Sequence, residues 1–428
     1  MFKLKENQTT VKREFVGALT TFLTASYILV VNPKILSECG MNFGALVTST
    51  GILIIIMCLL VGLFANMPLL IAPGMGLNAF FAYTLVIGQN IPWQIGLGVV
   101  FISGAIFFLL SLFKIRKWIV EAIPESMKAS ISAGLGLFLC LIGFESIGFV
   151  ASDPATIVKM GSYTPSLLLG LLGVLMTLYL IQKRVKGAML IGIFIITVVS
   201  IIFHQSQLPT SIVSIPPSIK PVIFHLDILS ALKMTFVGAI FSFVFVIFFD
   251  TTSTTVACAM EGNMYEKNGE IRGVGKILII DSIGTMLAGI FGNSPTVTFV
   301  ESTTGVSEGA RTGLSALFLA LFFVIALFFS PLISIVPAFA TAPALIIVGL
   351  LMFKHIGRID LGNFEEGVPA FFTIFLMPIT YSITTGISFG FILFVAMKLF
   401  SKKADKIHPI MWLLALLSVI NLIFSFLY

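Results

Sequence analysis

Apolar runs of roughly twenty residues recur along the whole of this chain, each closed by a short polar or Gly- and Pro-containing stretch. About twenty residues of α-helix rise 30 Å, the thickness of a bilayer's hydrocarbon core. A soluble domain mixes polar positions into its helices and strands, and roughly a quarter of its residues are charged. Here 58% of 428 residues are hydrophobic and 10% are charged. In lipid every backbone polar group must be satisfied within the protein, so runs of this length predict helices. The expected fold class is an all-α polytopic membrane protein, and the useful count is of spans rather than domains.

Apolar length and punctuation place spans at 14–38, 44–66, 67–87, 93–113, 124–150, 164–182, 186–204, 228–259, 273–292, 293–309, 312–331, 337–354, 368–382 and 383–400. A last apolar stretch, 409–427, either spans or lies on the membrane. The basic residues test this count. Lys3, Lys5, Lys12 and Arg13 precede the first span, and Lys114, Arg116 and Lys117 follow the fourth. Lys183, Arg184 and Lys186 follow the sixth; Lys267, Arg272 and Lys276 the eighth; Arg311 the tenth. Lys354 and Arg358 follow the twelfth, and Lys402, Lys403 and Lys406 the fourteenth. Odd-side loops carry little beyond Lys34, Lys159 and Lys220. The positive-inside rule then sets the N-terminus and the even loops in the cytoplasm. The net charge of +6 is dispersed in these clusters, with no basic stripe of the kind that binds nucleic acid. The polar start, MFKLKENQTTVKRE, does not read as a cleaved signal peptide.

Fourteen spans divide as seven plus seven. The third carries Pro68, Pro73, Gly74 and Gly76; its counterpart seven spans on, the tenth, carries Pro295 and Gly305. An odd number of spans per half inverts the second half in the membrane. Broken segments at corresponding positions of an inverted repeat point to a binding site near the midplane between them. Irregular backbone is tolerated at that depth only inside protein or along a cavity. The competing reading, a kink for packing alone, is weakened by the repetition.

The third span reads MPLLIAPGMGLNAFFAY, with Asn78 just past the break. In the tenth, TVTFV is β-branched and alternating, which predicts a short extended piece. Glu301 follows it, then Ser302 and Thr303, which suit a helix start. Asp250 stands deep in the eighth span within FFDTTSTT, and Asp281 in the ninth within IIDSIGT. A carboxylate at mid-membrane costs about 2.5–3.5 kcal/mol on insertion scales, so such residues generally serve a site. Asp281, nearer the cytoplasmic end, is equally read as a pairing or capping residue. Glu145 is read as interfacial, Asp227 as an N-cap, and Glu308 and Arg311 as a pair at the exit of the tenth span. The first span offers Thr20, Thr21, Thr24, Ser26, Tyr27 and Asn32, hydroxyls and amides that in membrane helices usually bond helix carbonyls or neighbours.

Other chemistries lack support. His204, His225, His355 and His408 lie in loops or at span ends without metal-ligand spacing, and Cys39, Cys58, Cys140 and Cys258 form no C-x-x-C pair. With no Walker A loop, nucleophile elbow or metal cluster, the chain reads as a transporter needing no cofactor, and not as an enzyme.

Three segments, APGMGLNAFFAY, FFDTTSTT and TFVESTTG followed by ARTGL, resemble the azaguanine-like purine permeases, a branch of the nucleobase/cation symporter-2 (xanthine/uracil permease) superfamily. TTFLTASYILVVNP, EAIPESMKASISAGLGLF, TAPALIIVG and MPITYSITTGISFGF extend the likeness over nearly the whole chain. The resemblance implies a core domain from spans one to four (14–113) and eight to eleven (228–331). It implies a gate domain from spans five to seven (114–204) and twelve to fourteen (337–400), with 401–428 as a tail. It implies proton-coupled import of adenine, guanine or hypoxanthine by alternating access. By motif position, Asp250 and Glu301 would contact the base, with Asn78 and the backbone of Gly76, Leu77 and Phe80 opposite. Carboxylates can accept from purine N–H groups, and Phe80, Phe299 or Tyr27 can stack on the ring, with Thr24 beside Tyr27. Asp250, Glu301 and Asp281 are the candidate proton-coupling groups. The oligomeric state stays open, with a homodimer as the candidate assembly.

The chain also departs from the family pattern. Ser253 replaces a glycine, Asn293 a threonine and Ala310 a glycine, and Thr303 and Thr304 stand where small apolar residues are common. These departures leave open which base is carried. A xanthine or uracil symporter is the alternative, and an anion transporter on the same architecture the more distant one, since acidic residues disfavour an anion.

Overall fold

A computed structural model describes residues 2–112, 123–209, 211–265 and 271–427. Lys114, Arg116, Lys117 and Lys267, four of the basic residues used for orientation, lie outside the described residues. Among those described, nine helices are long and apolar enough to cross a membrane, from Val11–Ser37 to Ile383–Phe400. Shorter apolar helices accompany them, including Ala188–Ile202 and Gly313–Leu327. The chain is a mostly helical, multi-pass membrane protein.

Helices begin where a short polar side chain precedes an apolar run. Asn42 accepts from Ala45 N at 2.9 Å ahead of Phe43–Leu60, Thr164 from Leu167 N at 3.1 Å ahead of Pro165–Gln182, and Ser382 from Thr385 N at 3.2 Å ahead of Ile383–Phe400. Each cap satisfies an amide that a helix start would otherwise leave bare. Helix against helix, glycines set the closest approaches. A Cβ on Gly136 would stand 2.4 Å from the Gly349 carbonyl, so Glu125–Ser146 and Ala338–Phe353 touch backbone to backbone. Gly104 and Gly289 do the same between Trp93–Leu112 and Val274–Phe291.

Among the described residues, four short strands interrupt the helices. β1 (Ile71–Pro73) pairs antiparallel with β4 (Thr296–Thr298), in the register Ile71 to Thr298, Ala72 to Val297 and Pro73 to Thr296. Both strands are wholly buried. Gly74 N donates to Pro295 O at 3.0 Å and Phe299 N to Leu70 O at 2.9 Å, continuing the pairing beyond each end. A short helix follows each strand: Met75–Ala79, running on as the wider π-turns of Phe80–Ile87, after β1, and Ser302–Ser307 after β4. The extended reading of TVTFV agrees with β4.

β2 (Val150–Asp153) and β3 (Ile157–Met160) form a hairpin in the stretch that sequence reading left between a fifth span drawn to 150 and a sixth from 164. The helix stops at Ser146 because Gly148, at φ +75°, turns the chain out of it. Asp153 holds the hairpin turn, accepting from Ala155 N at 2.9 Å and Thr156 N at 3.2 Å and pairing with Lys159 at 2.8 Å. Two further expectations are corrected. The run 228–259 divides into a small helix, Ile228–Ala231, capped by Asp227 as expected, and a long one, Val237–Gly262. Glu308 pairs with Lys186 at 2.7 Å, not with Arg311, whose guanidinium donates to the carbonyls of Val306 and Ala310 at 2.5 and 2.7 Å. Arg311 follows the end of a short helix, and the bare carbonyls there take its guanidinium.

Candidate functional site

The strand pair organises the polar residues. Helix Phe43–Leu60 packs on β1, helices Val237–Gly262 and Val274–Phe291 pack on β4, and Val237–Gly262 also packs on Ser302–Ser307. Glu301 thus stands between β4 and the short helix that follows. Tyr27, in the Ser26–Tyr27 turn between helices Val11–Ala25 and Ile28–Ser37, donates its phenol to Glu301 Oε1 at 2.7 Å. Thr24 lies 3.1 Å from the Thr304 hydroxyl, which also donates to Glu301 O at 2.6 Å. Glu301, Tyr27 and Thr24, three residues singled out in the sequence, therefore converge.

Asp250 and Asp281 part company. Both oxygens of Asp281 are engaged: Thr251 donates to Oδ2 and Thr296 to Oδ1, the latter at 2.8 Å. Thr251 also accepts from Thr298 N at 3.3 Å. Asp281 with its two threonines therefore rivets two helices to β4. Asp250, one residue before Thr251, has no hydrogen-bond partner among the described residues, and its charge interacts with that of Glu301. One carboxylate is spent on architecture and its neighbour is left available.

The β1 side is more enclosed than the sequence suggests. Asn78 is fully buried and accepts from Ser294 through Oδ1, so it ties the turn before β4 to the helix after β1. Its helix begins at Met75, directly after Gly74, whose amide makes the last bond of the strand pairing, to Pro295. Gly76 lies against Leu135, whose side chain a Cβ would meet at 2.5 Å, and Leu77 is buried beside it. Phe80 meets Phe243 edge-on with centroids 4.8 Å apart. Phe299 is 5% exposed and has no aromatic partner among the described residues.

A second polar network was only half legible. Asn32 Nδ2 donates to Thr50 at 2.7 Å and to Asn293 Oδ1 at 2.9 Å, and Asn293 Nδ2 donates to Ser49 at 2.7 Å. It fastens the start of the β4 segment to the first two apolar segments. Asn293, one of the departures from the family pattern, accepts at Oδ1 and donates from Nδ2, two separate atoms where threonine would offer one hydroxyl oxygen for both roles. Ser49, Thr50 and Ser294 carried no signal in the sequence, being hydroxyls among many. Glu14 was also passed over. It is fully buried in the first turn of its helix, although charge near a loop ordinarily reads as solvated. Among the described residues no group of three or more His, Cys, Asp or Glu side chains is arranged to hold a metal.

The chain is similar to known proteins over nearly its whole length. The Permease family model (Xan_ur_permease) matches residues 12–413. The guanine/hypoxanthine permease PbuG of Bacillus subtilis is 40% identical over 99% of this chain and 99% of its own. The adenine permease AdeP of Escherichia coli is 36% identical over 99% of this chain and 95% of its own. The solved transmembrane domain of the cyanobacterium bicarbonate transporter BicA superposes with a TM-score of 0.65 at 17% identity, covering 89% of this chain and 97% of that one, which is likeness of fold alone. A match over nearly the full length, with relatives this similar across their whole chains, makes this protein a member of the Permease family.

Proposed function

We propose that this permease imports purine nucleobases, adenine, guanine or hypoxanthine, as a proton symporter working by alternating access. The observation that carries the reading is the pair of carboxylates beside the paired strands: Glu301 held by Tyr27 at 2.7 Å, and Asp250 with no hydrogen-bond partner among the described residues. A purine presents N–H donors along one edge and ring nitrogens along another. Asp250 and Glu301 accept from the first, backbone of the β1–β4 crossing serves the second, and Phe299 offers a ring face. Tyr27 and Thr24 fix the Glu301 carboxylate; Asn78, Gly76, Leu77 and Phe80 wall the opposite side. A carboxylate that exchanges its proton on binding couples base to proton. Asp250 and Glu301 are the carriers in this reading, and Asp281 joins them only by releasing a threonine. The relatives named as adenine and guanine/hypoxanthine permeases support the substrate class.

The finer architecture belongs to the same reading. Fourteen segments form two inverted sevens, the strand-bearing segments being the third and tenth. Spans one to four and eight to eleven form a core, and the remainder a gate that moves against it, with the N-terminus in the cytoplasm of a plasma (inner) membrane. A likeness of fold to a bicarbonate transporter does not favour an anion, because acidic side chains border the crossing.

Cells producing the protein should accumulate labelled adenine, guanine or hypoxanthine, and a protonophore should collapse that uptake. Glu301→Gln or Asp250→Asn should abolish it while the protein still inserts. Normal transport by both variants would overturn the site; uptake indifferent to the protonophore would overturn the coupling. Thermal shifts of the purified protein against a panel of bases, xanthine and uracil included, identify the preferred one.

A further inference from the structure

Glu301 opens a helix of only six residues, Ser302–Ser307. A helix so short does not hold itself in place, and its position must come from neighbours. Helix Val11–Ala25 and the turn after it supply them. Glu14, Gly17, Thr21, Thr24 and Tyr27 recur at spacings of three and four, one face of a helix. Every one of them meets the short helix or the turn that follows it. Tyr27 bonds Glu301 and Thr24 meets Thr304. A Cβ on Gly305 would stand 2.2 Å from Thr21 Oγ1 and 2.5 Å from Gly17 O, so the two backbones are in contact. At the far end Glu14 Oε1 accepts from Arg311 N at 3.0 Å. The Arg311 guanidinium turns back onto the Val306 and Ala310 carbonyls, and Thr9 donates to Gly309 O at 2.9 Å. A fully buried carboxylate is costly unless it organises its surroundings, and Glu14 grips the one backbone amide that ends this turn.

We propose that Glu14 is a positioning residue for Glu301, anchoring the far end of a splint that one face of helix Val11–Ala25 forms along residues 301–311. The kinetic consequence rests on the transport reading above; the mechanical one does not. Glu14 touches no substrate. It acts by holding Arg311, hence the short helix, hence the angle at which Glu301 meets Tyr27.

The test compares full-length wild type, Glu14→Ala and Glu14→Gln. By hydrogen exchange in detergent micelles, Glu14→Ala should speed exchange across 302–311 by about tenfold, while the helix Val274–Phe291 stays unchanged. Glu14→Gln keeps an acceptor oxygen and should stay within about threefold of wild type. In uptake, Glu14→Ala should raise KM about tenfold with Vmax per inserted molecule held within about twofold, and combining it with Tyr27→Phe should cost less than the product of the two, since both act on one element. Unchanged exchange in Glu14→Ala overturns the proposal, as does a fall in Vmax at constant KM, the mark of a merely structural residue. If Glu14→Ala does not accumulate, Thr24→Val carries the same exchange expectation and the same refutation. A wild type that takes up no base defeats the transport reading alone, because the exchange comparison still decides the splint.

Discussion

At the scale of single residues, hydrogen-bond satisfaction separates acids that composition treats alike. Asp281 uses both oxygens on threonine hydroxyls, so Asp281→Asn removes an acceptor and leaves a buried hydroxyl unpaired, a loss of about 1–3 kcal/mol. The expected outcome is a lowered Tm and less inserted protein; an unchanged Tm with uptake freed from the proton gradient would instead mark Asp281 as a proton carrier. Tyr27→Phe loses one hydrogen bond to a charged group, about 1.5–3 kcal/mol, which corresponds to a base affinity weakened roughly tenfold or more. Binding titration of the purified variant checks it. The acids themselves were legible, because carboxylates in apolar runs stand out. Their partners were not: Tyr27 reaches Glu301 across 274 positions of sequence.

Among elements, the two kinds of local structure differ in how plainly they announce themselves. β4 was legible because threonine, valine and threonine after a proline cannot easily continue a helix. The fifth span was drawn too long, to 150, because apolar residues run on past Ser146 and Gly148's left-handed turn ends the helix, and the β2–β3 hairpin beyond it was read as connecting chain. Close helix pairs depend on glycine. Gly349→Ala would place a Cβ 2.4 Å from Gly136 O and 2.6 Å from Cys140 Sγ, and backbone cannot yield as a side-chain tip can. A loss of about 1–3 kcal/mol in stability is expected, read as a lower unfolding temperature. At the start of helix Phe364–Ile379, Glu365 is gripped by Lys398 at 2.7 Å and Lys403 at 2.5 Å. Lys398, then Lys403, hold its carboxyl well below the usual carboxylate range, at about 2. A lowered folded-state pKa stabilises above the ordinary carboxylate value of about 4.3, and that contribution drains away as pH falls from there through about 2. The Tm gap between wild type and Glu365→Gln should therefore be equal at pH 7 and pH 5 and close only in stronger acid.

At the scale of the whole molecule, few side-chain hydrogen bonds or ion pairs among the described residues join the proposed core and gate; Ser242 donates to Thr384 at 2.9 Å. Thr84 donates to Tyr381 O at 2.7 Å, and Tyr381 in turn donates its phenol to Glu145, which sequence reading had left as merely interfacial. Elsewhere Lys186 pairs with Glu308, and a half-exposed ion pair of this kind contributes little, about 0–1 kcal/mol. Ties this slight are compatible with two bodies that move against each other. Thr84→Cys with Tyr381→Cys, joined by a short reducible thiol crosslinker, should arrest uptake, and reduction should restore it. Uptake that persists through complete crosslinking would mean that this contact does not open during transport.

By itself the sequence determined the solvent this chain lives in, the approximate places of its longer helices, the extended character of one short segment and the acids worth testing. Those properties follow from hydrophobicity and local backbone preference, which act over a few residues to a few turns. Only the tertiary structure decided that Asp281 is riveted while Asp250 has no hydrogen-bond partner among the described residues, that Glu308 meets Lys186, and that buried Glu14 reaches Arg311 across 297 positions. A hydrogen bond needs its atoms about 3 Å apart and aligned, so it depends on the rotation of each helix and on which backbones glycine allows to touch. No local pattern carries that information, because it is shared between segments that meet only when the fold is complete.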